Sequence, residues 1–264
     1  MMTYPLITSL TPHLAARYAY LKARIETLSP YPDKVQCMAV TKYLAPEALP
    51  MLWEAGMLLW GENRVQDACH KWEVLASELS EKASSQVTHS KIGAEYPFQG
   101  RWELIGTLQK NKINKLLHAP WQVSRIQSVD SLVLAQALHE RLRVLDTRTV
   151  PLPILCQVNI TQEVTKHGFT SSEILRDWET LCHYDTLQIE GLMTMLPVES
   201  SPKEQAKGFE ALRTLQETLQ TMTPYPLTTL SMGMSQDWEL ALAQGATCIR
   251  MGRWLYRPEP PPAL

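Results

Sequence analysis

No stretch of this chain approaches the roughly 18 uninterrupted apolar residues that a membrane-spanning helix requires. The opening Met1-Met2-Thr3-Tyr4-Pro5 lacks the basic segment of a secretory leader. Neither membrane insertion nor secretion is therefore expected. An excess of one charge is missing too: 25 Lys and Arg stand against 27 Asp and Glu, for a net charge of −2, which excludes the electrostatic footprint of a nucleic-acid binder. The five cysteines (Cys37, Cys69, Cys156, Cys182, Cys248) form no CxxC pair. Three of them (Cys37, Cys156 and Cys248) fall in apolar runs, where buried reduced thiols and hence a reducing cytoplasm are expected. None of the seven histidines makes an HxH, HExxH or Cys/His arrangement, so no metal is predicted. The chain also lacks an internal repeat and any clear domain boundary.

What it has is alternation. At 264 residues and 45% hydrophobic, it has the length and the apolar content of one large α/β core. Apolar strand-like runs at 35–41, 57–61, 102–106, 123–127, 152–159, 187–194, 227–231 and 246–251 alternate with helical periodicity at 46–55, 64–79, 110–117, 131–144, 171–181, 203–222 and 237–243. A lead-in helix is expected over about 7–27. The order predicts a single (β/α)8 TIM-type barrel over 1–256. A polar segment at 81–100 reads as a surface insertion, and the proline-rich tail at 257–264 as extended or disordered.

The chemistry gathers at expected strand ends. Leu230-Ser231-Met232-Gly233-Met234-Ser235 and Ile249-Arg250-Met251-Gly252 place glycines and hydroxyls after the last two strands, where barrels of this kind cradle phosphate. Lys42 follows the first strand and opens onto the same end. Taken alone it is a surface lysine closing a strand; opposite a phosphate site it suggests pyridoxal phosphate held as a Schiff base. Asn63, after the second strand, caps a helix or offers its amide to a cofactor. Arg250 differs, being a permanent cation in a strand of apolar and small residues. Such a group needs an anion or hydrogen-bond acceptors. Set against a pyridine nitrogen, it would keep that nitrogen unprotonated and weaken the ring as an electron sink.

Taken in order, the stretches Ala39–Tyr43, Gly61–Gln66, Trp102–Lys112, Ser128–Ser131, Gln157–Ile160, Lys166–Gly168, Gly191–Pro197, Leu230–Asp237 and Ile249–Gly252 resemble the pyridoxal phosphate homeostasis protein family. That family is a single-domain relative of the alanine racemase N-terminal barrel. The resemblance implies a fold-type III pyridoxal 5'-phosphate site. In it Lys42 carries the cofactor as a Schiff base, and Asn63 lies near the ring. Ser231 and Ser235, with backbone around Gly233 and Gly252, hold the phosphate, and Arg250 meets the pyridine nitrogen. It also implies cofactor buffering or delivery, with little or no catalysis. The partners would be pyridoxal phosphate and apoenzymes that use it, and the chain would be a monomer or weak dimer.

Two departures bear on the site. Arg253 stands where the family has a threonine or serine, and either replaces that hydroxyl with a charged contact or points away. Glu103 replaces a histidine. The 81–100 segment is longer than usual and the tail is extra. A pyridoxal phosphate-dependent amino-acid racemase is the rival reading. It needs a second acid–base group opposite the lysine, which alanine racemase takes from a further domain. Little chain follows the last strand here, and Tyr43, adjacent on a strand, is expected to face away from Lys42. A regulatory protein-binding barrel, using Arg253–Arg257 and the tail, is the third.

Overall fold

A computed structural model describes residues 12–86, 100–119, 123–145, 150–163 and 166–263. The chain runs through α1 (Leu14–Leu28), β1 (Gln36–Val40), α2 (Leu49–Glu54), β2 (Leu59–Glu62), α3 (Val65–Gln86), β3 (Arg101–Leu104), α4 (Ile113–Leu117) and β4 (Arg125–Val129). It continues through α5 (Leu132–Val144), β5 (Leu152–Gln157), α6 (Ser171–Cys182), β6 (Leu187–Met193), α7 (Pro202–Gln220), β7 (Thr229–Ser231), α8 (Trp238–Ala243) and β8 (Cys248–Met251). The strands close in sequence order, each parallel to the next, and β8 returns to β1 through Gln36↔Cys248 to Ala39↔Met251. This is the predicted (β/α)8 barrel with α1 as its lead-in helix.

Local chemistry fixes where the helices begin. Ser131 accepts the Leu134 amide at the start of α5. Thr170 with Glu173 and Ser201 with Glu204 form reciprocal capping boxes on α6 and α7. Between strands and helices lies the main core. It takes one set of alternating strand residues, among them Ala39, Leu104, Ile126, Ile154, Cys156, Leu192, Leu230 and Ile249, together with the apolar helix faces. The other alternating set fills the barrel interior. Met38, Val40, Leu59, Ile105 and Cys248 form a separate apolar cluster there. Against that cluster the interior carries charge, with Glu103, Arg125 and Arg250 all buried, and the neutral amide of Gln127 is buried among them.

Of three further expectations, the strand placement of Lys42 and Tyr43 needs correction. Within the segment read as an insertion, residues 81–86 continue α3, and 87–99 lie outside the described residues. The polar sequence Glu81-Lys82-Ala83-Ser84-Ser85-Gln86 hid the end of this helix from a search for apolar periodicity. The tail is held in place: Arg17 of α1 donates from Nε to the Glu259 carbonyl at 3.1 Å while its guanidinium lies 4.8 Å from the Trp254 ring. Lys42 and Tyr43 sit on a 3-10 turn (Thr41–Tyr43), so strand alternation does not separate them. The Lys42 Nζ lies 5.1 Å from the Tyr43 ring centre. The five cysteines are free, as expected, although Cys37 is only partly buried. Burial pushes the Cys156 thiol up to about 12, which makes it inert at neutral pH.

Candidate functional site

The first strand ends at Val40, and the turn carrying Lys42 is anchored from below. Thr41 is buried, and its hydroxyl donates to Glu62 Oε1 at 2.6 Å. Lys71, reaching in from α3, donates both to the Thr41 carbonyl at 2.6 Å and to the same Glu62 oxygen at 2.6 Å. Lys71 and Glu62 are both almost wholly buried. Burial raises the Glu62 carboxyl above the ordinary carboxylate range, although Lys71 and Thr41 pull it down. The Tyr256 hydroxyl, also buried, donates to the Val40 carbonyl at 3.1 Å and ties the chain after β8 to the end of β1. Lys42 itself is half-buried, and its amine has no hydrogen bond or ion pair among the described residues.

Arg250 projects from β8 and is 3% exposed. Its Nη1 donates to the Ser231 hydroxyl at 2.6 Å and its Nη2 to the Thr194 carbonyl at 2.7 Å. Burial pushes its guanidinium down from its usual value, opposed by nearby Cys248 and Asp237, and it remains a cation. Ser231, expected at the phosphate, has its hydrogen committed elsewhere: it donates to Gln127 Oε1 at 2.6 Å. Its position in this structure is beside Arg250.

The loop after β7 supplies a different set of groups. Gly233 has φ +93°, and a Cβ there would meet the Ala241 methyl at 2.6 Å, so only glycine fits. Its carbonyl accepts the Arg250 amide at 2.9 Å. Asp237 Oδ1 accepts the Met234 amide at 2.6 Å. Half-buried Ser235 accepts the Trp254 amide at 3.4 Å, which joins this loop to the turn after β8. Gly252 packs against Tyr43, with a built Cβ falling 3.4 Å from that ring. Arg253 is exposed on the turn that follows.

Asn63 follows β2, and its backbone carbonyl presses so closely on Gly106 that no side chain could stand there. It lines a cleft of about 700 Å³ with Arg64, Gln109, Lys112 and His167. A second cleft of about 410 Å³ lies over Gln157, Asn159, Lys166, Met195 and Met234, and His167 and Thr107 line both. Among the described residues, no cluster of His, Cys, Asp and Glu could hold a metal, and no helix is long and apolar enough to cross a membrane.

The strand order brings these pieces together. β7, β8, β1 and β2 are consecutive neighbours around the barrel, so Ser231, Ser235, Arg250, Gly252, Lys42 and Asn63 gather at the C-terminal ends of four adjoining strands. That is the end at which barrels of this type place their chemistry. Sequence reasoning gave no role to Glu62, Lys71, Arg125, Gln127 or Thr194, and marked Glu103 only as a departure from the family. A signal existed for two of them: Glu103 and Arg125 are charges inside short strand runs, the same feature that picked out Arg250.

The family model described as alanine racemase, N-terminal domain, matches residues 13–260. The chain is 32% identical over 231 residues to the pyridoxal phosphate homeostasis protein of Synechocystis, covering 88% of this chain and 94% of that one. It is 33% identical over 227 residues to the protein so named in Helicobacter pylori, covering 84% and 87%. The chain belongs to the pyridoxal phosphate homeostasis protein family. Among solved structures, this family member is similar to PipY of Synechococcus elongatus with pyridoxal phosphate bound. The TM-score is 0.73 at 31% identity, covering 92% of this chain and all of that one. Alanine racemase of Clostridium difficile shares the fold alone, with a TM-score of 0.68 at 13% identity, covering 97% of this homeostasis-family chain and 62% of the racemase.

Proposed function

We propose that this chain binds pyridoxal 5'-phosphate through Lys42 and serves as a carrier or buffer of the cofactor, with little or no catalysis of its own. The observation that carries the reading is the half-buried Lys42 amine. It has no ionic partner among the described residues, and its turn is clamped at the barrel end that also holds buried Arg250. The donor set fits an anionic aromatic aldehyde: a free amine, a buried cation, and two adjoining loops that carry one glycine each, Gly233 and Gly252, with Ser235 beside them. In this assignment Lys42 is the covalent anchor and Asn63 flanks the ring. Gly233, Ser235, Gly252 and the backbone of Arg253 receive the phosphate, and Arg250 faces the pyridine nitrogen. Ser231 holds Arg250 and leaves the phosphate to its neighbours.

When bound, pyridoxal phosphate supplies an aldehyde that exchanges between amines and a ring that withdraws electrons. Arg250 donates hydrogen bonds and cannot accept one, so it opposes protonation of the pyridine nitrogen and restrains that withdrawal. Relatives named as homeostasis proteins, and PipY with the cofactor bound, support a carrier. We assign the recipients to apoenzymes that need pyridoxal phosphate. The setting is the cytoplasm, where free thiols such as its five persist, and the chain acts as a monomer or weak dimer.

An absorbance titration with pyridoxal phosphate tests the binding step. The chain gains a band near about 420 nm, and Lys42→Ala, folded by circular dichroism, does not. A full-strength band in Lys42→Ala would refute the assignment.

A further inference from the structure

The interior of the barrel holds a polar chain that runs towards Arg250 from the far side. Glu103, on β3, is 2% exposed. Its two oxygens take a forked contact from Arg125, with Nε at 3.0 Å and Nη2 at 2.9 Å. Arg125 Nη1 in turn donates to Glu190 and to the Thr229 hydroxyl, each at 3.0 Å. Glu103 Oε2 also accepts from Gln127 Nε2 at 2.6 Å.

Direction follows from valence. A carboxylate paired with arginine has no hydrogen to give, so the amide of Gln127 must turn its NH2 towards Glu103. Its oxygen then faces Ser231, whose hydroxyl donates to it at 2.6 Å. With that one hydrogen used, Ser231 offers only lone pairs on its other side, where Arg250 Nη1 donates at 2.6 Å. Gln127 and Ser231 are wholly buried, so water cannot substitute for either partner.

We propose that Glu103 is a positioning residue: acting through Gln127 and Ser231, it sets the polarity of the relay that fixes the Arg250 guanidinium. The relay stands on this geometry alone. Only its purpose, holding Arg250 against the cofactor ring, rests on the function proposed above. The Glu103–Arg125 pair closes the relay at one end and Arg250 with the Thr194 carbonyl closes it at the other. Removing Glu103 frees the Gln127 amide to turn over. Ser231 then has no fixed hydrogen-bond direction, and Arg250 loses its seat.

The test is phenylglyoxal labelling of the cofactor-free protein, read by peptide mass mapping, in wild type, Glu103→Gln and Gln127→Leu. Gln127→Leu breaks the relay while leaving the Glu103–Arg125 pair intact, and it decides the matter if Glu103→Gln fails to fold. Arg17, buried against the Glu259 carbonyl and no part of the relay, is the internal control. Arg250 is expected to label several-fold faster in both variants, with Arg17 unchanged. Arg250 protected as in wild type would overturn the relay. So would Arg17 and Arg250 loosening together, because that marks a general loss of packing. A parallel titration with pyridoxal phosphate separates the two claims. A loss of affinity of about tenfold in Gln127→Leu, absent when Arg250→Lys is already present, supports the purpose. Unchanged affinity with a freed Arg250 would overturn that purpose alone.

Discussion

Two buried ion pairs stand beneath the two halves of this site, and they are built differently. Under Lys42, the Glu62–Lys71 pair uses one carboxylate oxygen for everything: Lys71 and Thr41 both meet Oε1, while the buried Oε2 has no partner among the described residues. Under Arg250, both oxygens of Glu103 are engaged by Arg125, and Gln127 adds a third donor. A buried pair offsets its desolvation only when the remaining lone pairs are also met. The support below the lysine is therefore incomplete and open to a proton. The support below the arginine has both carboxylate oxygens met. Under the proposed function the contrast suits the two groups, since an amine that exchanged partners would tolerate a yielding base and a cation aimed at the ring would not.

The sharpest way to break this comparison is to remove the cation from each pair. Arg125→Leu strands Glu103 and Glu190 together and is expected to cost about 4 kcal/mol, or to prevent folding. Lys71→Met is expected to cost only about 2 kcal/mol, because Glu62 can take up a proton in place of its lost partner. Urea unfolding of the two variants measures the difference. A costlier Lys71→Met would reverse the ranking of the two supports.

Acidity sharpens the same point with a smaller effect. Burial holds the folded-state Glu62 above the ordinary carboxylate range, so folding favours its protonated form. That contribution is complete below the unfolded value and is lost as pH rises through the raised folded one. Glu62→Gln, which cannot lose a proton, should match wild type in melting temperature near about pH 4 and gain on it towards about pH 8. A variant that falls behind wild type as pH rises would mean that Lys71 wins over desolvation.

The tail is expected to matter least. Removing residues 257–264 deprives Arg17 of the Glu259 carbonyl and should lower stability by about 1 kcal/mol in the same urea assay, with cofactor affinity unchanged. A drop in affinity would connect the tail to the Ser235 loop through Trp254, which touches both Arg17 and Ser235.

The outer layer of this barrel was legible because burial between strand and helix leaves a periodic trace. The apolar run that became Leu152–Gln157 announces its strand directly. Lys42, Asn63 and Arg250 were legible as polar groups at strand ends or inside an apolar run. The interior partners left no such trace. Gln127 and Ser231 lie 104 positions apart and meet only across the closed barrel, so no spacing in the chain foretells their bond. Lys71 sits nine residues beyond Glu62 on a different element and reads as one more helix-surface lysine. The turn at Thr41–Tyr43 reads as strand because β-branched Thr41 directly follows the apolar run that ends at Val40, and nothing in the chain marks where the backbone curls.

The most direct test of the central claim is borohydride reduction of the chain with pyridoxal phosphate, followed by peptide mass mapping. The account predicts a pyridoxyl phosphate adduct on the peptide containing Lys42, and its disappearance in a folded Lys42→Ala. An adduct spread over surface lysines, with the Lys42 peptide unmodified, would contradict it.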